Sequence, residues 1–159
     1  MRSIPVLLIG NFLSGANGSR GVCEELAARL SADGWAVLTA SAKAARLPRL
    51  WDMLRTILKW RRSYAVAQVD VFSGLAFFWS EAACATLRWC GKPYVLTLHG
   101  GNLPEFARRH PQRVRRLLQS ARAVTAPSRY LSEQMAPYRD GLRLLPNALA
   151  LDDYQFRLR

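Results

Sequence analysis

Short apolar runs alternate with helix-length amphipathic patterns along the whole chain, and that alternation restricts the fold more than any single motif. The runs Ile4–Ile9, Ala36–Ala40, Ala67–Phe72, Tyr94–Leu98, Ala123–Ala126 and Leu142–Leu145 read as buried strands. Between them lie helical patterns at Gly21–Ala32, Leu47–Arg62, Leu75–Cys90, Pro111–Ser120 and from Ser128 to Met135. Ser19 suits a cap for the first helix and Gly34 its end, while Pro111 occupies a first helical position. Strands alternating with helices at this spacing predict an α/β fold: a Rossmann-like, doubly wound parallel sheet of about six strands with helices on both faces. A chain of 159 residues fits one such domain.

In a sheet of this kind ligands bind beyond the carboxyl ends of the strands. Two loops there carry unusual residues. Tyr94-Val-Leu-Thr-Leu is followed by His99, Gly100, Gly101 and Asn102, two glycines that permit a sharp turn or close approach beside a ring and an amide. The segment reads equally as a plain strand-to-helix turn with an ordinary hydrogen-bonded histidine. The loop Gly10–Gly21 holds four glycines and opens into a helix, where exposed amides and Arg20 suit an anion. A flexible connection is the alternative. It is not a P-loop, because Ala16 and Asn17 stand where lysine and Ser/Thr belong. Nor is it a dinucleotide fingerprint: G-x-G-x-x-G is missing, and Thr39, Ala40 and Ser41 end the second strand with no acid. In the common strand order 3-2-1-4-5-6, strands one and four are neighbours and the two loops flank one crevice.

Charge and cysteines narrow the setting. The formal charge is +12, mostly from arginine, which favours phosphates, nucleic acid or an anionic membrane surface. The pattern at 47–62 has Leu47, Leu50, Trp51, Leu54, Ile57 and Leu58 at helical spacing, most simply the face packed on the sheet. Arg46, Arg49, Arg55, Lys59, Arg61 and Arg62 fall on the other face with Trp60, either a solvated surface or one suited to anionic lipid. A second basic run, Arg108–Arg116, either holds acceptor phosphates or solubilises its helix. Cys23, Cys84 and Cys90 form no C-x-x-C or Cys/His cluster, which argues for a reducing compartment, buried thiols and no metal site. Met1–Ile9 resembles a short signal peptide, but Pro5, Gly10 and Asn11 break it and a first strand explains it as well. No apolar run approaches the roughly 20 residues of a membrane-spanning helix. No Ser/His/Asp arrangement or paired carboxylate motif is present.

The chain resembles the N-terminal half of family-4 (group 1) retaining glycosyltransferases, the two-domain GT-B enzymes. The resemblance spans essentially all of it. It rests on Gly15 to Gly21 opening the first helix, Leu26–Gly34 closing it, Gly91-Lys-Pro-Tyr-Val-Leu-Thr-Leu-His-Gly100, Ala121-Arg-Ala-Val-Thr-Ala-Pro-Ser128 and Leu145-Pro-Asn-Ala-Leu-Ala-Leu-Asp-Asp-Tyr-Gln-Phe156. The last two are the most specific. The chain departs from the pattern at Trp35, where histidine usually follows the glycine, at Ala148 in place of glycine, and at Ser73, where histidine is common.

The resemblance implies that residues 1–148 form the acceptor domain and 149–159 begin a linker to a donor domain that is absent. It implies a nucleotide-sugar-dependent transferase of hexosyl type, acting with retention on a glycan or lipid-linked acceptor in polysaccharide biosynthesis. It further implies His99 as catalytic beside the transferred sugar; Gly15, Ala16, Arg20, Gly100 and Gly101 facing donor diphosphate or sugar; and Asn17, Asn102 and Arg129 binding acceptor. No metal or bound cofactor is expected, the donor being a substrate held through the other domain, and the isolated domain is expected to be inactive. A cytoplasmic location follows, with peripheral contact at the inner membrane face left open. The competing readings are a basic nucleic-acid-binding module, which no recognised motif supports, and a free-standing nucleotide-binding Rossmann module, which the absent fingerprint disfavours.

Overall fold

The structure is a computed structural model that describes residues 5–12, 21–40, 43 and 45–147. Six strands run parallel: β1 (Val6–Ile9), β2 (Val37–Ala40), β3 (Val66–Val71), β4 (Tyr94–Leu98), β5 (Ala123–Ala126) and β6 (Arg143–Leu144). Among them lie α1 (Val22–Ala32), α2 (Arg46–Lys59), α3 (Leu75–Trp89), α4 (Leu103–Arg109), α5 (Pro111–Gln119) and α6 (Arg129–Met135), with a 3-10 turn at Ala136–Tyr138. The α/β reading and the Rossmann-like sheet hold. Strands β4 and β5 have the bounds expected from the sequence.

The strand order is β2-β1-β3-β4-β5-β6, which corrects the expected 3-2-1-4-5-6. Strand β3, not β4, lies beside β1. The central strands are all largely apolar, so hydropathy does not distinguish one neighbour from another. The chain still reverses direction at β1: α1 carries it to β2, and α2 carries it back past β1 to β3. The crevice at that reversal therefore lies between the carboxyl ends of β1 and β3, with β4 one strand further on.

One face of the sheet is thickly covered. Leu7 and Ile9, Val69 and Val71, Leu96 and Leu98, and Val124 and Ala126 pack with side chains of α2 to α6 in a single buried cluster. Phe77, Leu87, Leu103, Leu118 and Met135 are sealed from water there. Helix α1 takes the opposite face, where Cys23 lies against Gln68 of β3. It starts at Gly21, whose N–H donates to the Glu24 carboxylate at 2.7 Å; the expected Ser19 cap lies outside the described residues.

Helix α2 corrects the expected packing face. Arg49, Met53 and Ile57 are the buried positions, whereas Leu47 and Trp51 face solvent at 79% and 68% exposure. The inward stripe runs at spacing of four through an arginine, so a search for apolar residues alone misplaces it. Arg49 is held inside by donating from Nε to the Lys43 carbonyl (2.7 Å) and from Nη1 to Asn11 Oδ1 (3.1 Å), with Trp79 5.5 Å from its guanidinium.

Candidate active site

The carboxyl ends of β1, β3 and β4 converge on a buried polar cluster. Asp70 of β3 and His99, just past β4, are 8% and 6% exposed. His99 Nε2 and Asp70 Oδ1 are 2.9 Å apart. The backbone makes this pairing inevitable: Val71 is in register with Leu98, and the His99 N–H donates to the Val71 carbonyl at 2.9 Å. Strand alternation puts Gln68, Asp70 and His99 on the α1 side of the sheet, away from the main core.

A carboxylate withdrawn from water must be hydrogen-bonded. The Gln68 side-chain amide donates to Asp70 Oδ1 at 2.6 Å, sharing that oxygen with His99. Because an ionised carboxylate only accepts, the His99 proton facing it sits on Nε2. That fixes the ring: Nδ1 is left as its second polar atom, with no hydrogen-bond partner among the described residues. Phe72 stacks on the imidazole at 4.9 Å between centroids, tilted by 19°. A carboxylate and an aromatic plane thus hold one imidazole in one tautomer and one orientation.

Gly10, at the end of β1, closes the cluster from the other side. A Cβ there would stand 2.4 Å from Asp70 Oδ2 and 2.6 Å from Cys23 Sγ, so only glycine fits. Burial, and secondarily the charge of Asp70, push the Cys23 thiol far up, and it stays protonated. Its thiol donates weakly to Gln68 Oε1 at 3.9 Å. Beside this lies a recess of about 20 Å³ bordered by Gly10, Asn11, Asp70, Phe72, Trp79 and Ser80. It has room for a single water.

Beyond His99 the chain opens. Gly100 has φ +86°, a left-handed value that suits glycine, and among the described residues nothing stands within 4 Å of a Cβ built on Gly100 or Gly101. The backbone here is bare enough for a ligand to approach closely. Asn102 precedes α4, makes no capping hydrogen bond through its side chain and is exposed. Arg129 opens α6 and is exposed after Ser128, whose Oγ accepts from Leu131 N at 3.2 Å. Both lie at the carboxyl edge of the sheet, and neither hydrogen-bonds to the His99–Asp70 pair. Gly15, Ala16, Asn17 and Arg20 lie outside the described residues.

Sequence reasoning singled out His99 but missed its partners Asp70, Gln68 and Phe72. The available signal was Asp70 itself, an acid inside the apolar run Val66–Val71. Among the described residues no group of His, Cys, Asp and Glu is spaced to hold a metal ion.

A carboxylate-backed imidazole at a strand end, next to bare glycine backbone and a glycine-bearing β1 end, is arranged to meet a polar ligand in the crevice. The family model for Glycosyltransferase Family 4 matches residues 16–153, nearly the whole chain and the whole of this edge from α1 onward. The chain belongs to glycosyltransferase family 4. It carries the N-terminal domain of that family, which makes it part of a glycosyltransferase. No curated protein matches the sequence significantly.

Proposed function

We propose that this domain is the acceptor half of a retaining, nucleotide-sugar-dependent glycosyltransferase of the two-domain GT-B kind. The observation that carries the reading is the His99–Asp70 pair, buried yet ending in an Nδ1 that has no partner among the described residues, beside the Gly100–Gly101 backbone. In the proposed reaction His99 hydrogen-bonds a hydroxyl of the transferred sugar through Nδ1. Asp70 holds the ring in place and keeps its proton on Nε2, so that Nδ1 accepts from that hydroxyl. Gly15, Ala16, Arg20 and the Gly100–Gly101 amides face the donor diphosphate or sugar, where amides and a guanidinium offset charge on the departing diphosphate. Asn17, Asn102 and Arg129 bind the acceptor and orient its attacking hydroxyl, a positioning contribution.

Under this proposal residues 1–148 are the acceptor domain, 149–159 begin a linker, and a second domain grips the nucleotide. The transferred group is of hexosyl type, the acceptor is a glycan or lipid-linked glycan of a polysaccharide pathway on the cytoplasmic side of a membrane, and no metal is required. The domain alone is inactive because it can hold the acceptor but not complete the donor site.

The test uses protein expressed from its full reading frame. It is offered a panel of nucleotide sugars, and acceptor-dependent release of nucleoside diphosphate is followed. Turnover of a nucleotide sugar with the donor's anomeric configuration kept in the product, read by proton NMR, supports the proposal. Turnover with inversion, or none across the panel, contradicts it.

A further inference from the structure

We propose that the outer face of α2 and α3 docks on an anionic phospholipid bilayer. The two helices pack side by side and leave an open groove of about 500 Å³ between them, lined by Trp51, Leu54, Arg55, Leu58, Arg61 and Trp89. Trp51 and Trp89 are 68% and 80% exposed, and Trp60 beyond the end of α2 is 39% exposed. Trp51 and Trp89, two indoles presented to solvent across this groove, form an apolar patch that a monomeric surface has no reason to keep. Arg55, Lys59 and Arg61 line the groove with them, Arg62 is exposed in the turn that follows α2, and no acidic residue occurs between Asp52 and Asp70. Among the described residues none of the four forms an ion pair. Lys59 Nζ lies 5.0 Å over the Trp60 ring.

This composition identifies the occupant. Indoles and leucines at the centre with cations around them match a headgroup layer, where the rings enter the boundary and the cations meet lipid phosphates. A second copy of the chain would bring the same cations against this face in a two-fold contact, and like charges would oppose each other. No described helix is long and apolar enough to cross a membrane, so docking is by surface contact.

The 159-residue chain is sedimented with vesicles of phosphatidylcholine alone and of phosphatidylcholine with phosphatidylglycerol. Binding is expected on the anionic vesicles only, weakening as salt rises. Arg55→Gln and Arg62→Gln should each weaken it about fivefold. Trp51→Ala with Trp89→Ala should weaken it by roughly tenfold, since the indoles lose their burial in the interface. The control pair Arg29→Gln and Arg143→Gln removes equal charge from α1 on the opposite sheet face and from β6 at the far edge, and should leave binding within twofold. All substituted positions are exposed, and unchanged thermal melting confirms that each variant is folded. The proposal is overturned by equal loss in the control pair, which would mean net charge alone binds. It is also overturned by unaffected binding in the tryptophan variant, by a solution dimer that this variant dissociates, or by saturable binding to a single-stranded oligonucleotide without vesicle binding.

Discussion

At the scale of single residues, the site depends on what surrounds one carboxylate. Asp70 is buried under Gly10, accepts from Gln68 and His99 on one oxygen, and stands beside the Cys23 thiol. Asp70→Asn keeps the shape but removes the acceptor that fixes the histidine tautomer. We expect it to lower stability by about 1–3 kcal/mol, read by urea denaturation, because Gln68 and His99 then compete for an amide that is half donor. Gly10→Ala should also destabilise by roughly 1–3 kcal/mol, since its Cβ overlaps the Asp70 and Cys23 side chains. Stability unchanged in Gly10→Ala would mean that β1 can shift to make room. Burial also acts on Cys84, whose thiol is pushed up to about 12, and on Tyr64, likewise pushed up to about 12. In the unfolded chain these groups lose protons near their ordinary values of about 8.5 and 10, while the folded chain keeps them. Above those values the unfolded state binds fewer protons, so stability falls as pH rises. The Cys84 contribution should amount to roughly 1.4 kcal/mol per pH unit between about 8.5 and about 12, and Cys84→Ala should lessen the slope there by that amount while the buried Cys23 thiol keeps its own contribution.

At the scale of elements, legibility followed the strength of the local pattern. Tyr94–Leu98 and Ala123–Ala126 were plain because apolar β-branched runs end at Pro93 and His99 in one case and at Arg122 and Pro127 in the other. Helix α4 went unread. Its start, Gly101-Asn102-Leu103-Pro104, looks like continuing loop, although proline in a first turn is compatible with a helix and Pro104 proves buried there. The inward face of α2 was misplaced because its Arg49 is satisfied by a backbone carbonyl and an amide that only the tertiary fold supplies. One element-level contact is testable. Arg139, ahead of β6, donates to the carbonyls of Leu118, Ala121 and Arg122, which lie at and just beyond the end of α5. Arg139→Met should destabilise by about 1–3 kcal/mol, and Arg139→Lys should restore only part, because a single ammonium cannot span carbonyls that a planar fork reaches together. Full recovery in the lysine variant, measured by thermal or urea unfolding, would show that charge rather than geometry matters there.

At the scale of the whole molecule, the sheet order decides which residues meet. With β1 beside β3, Asp70 enters the crevice directly, and His99 reaches Asp70 from the end of β4, one strand further on. A reversal beside β1 was expected from the common doubly wound order, though between strands one and four rather than β1 and β3. The neighbour across it was not legible, since pairing among largely apolar strands is settled by packing over the full domain. His99 was therefore found by its position after a strand, while its role as one half of a pair needed the three-dimensional register. The most direct test of the central claim is sugar transfer by the protein expressed from its full reading frame, compared for the unaltered chain, His99→Ala and Asp70→Asn. The account predicts a fall in kcat of at least about a hundredfold for His99→Ala, of the size expected when a positioned polar group is lost from a transition state. Asp70→Asn should give a smaller fall, because the ring remains but loses its fixed tautomer. Transfer by His99→Ala at the unaltered rate would contradict the claim that this edge of the sheet is where sugar is moved.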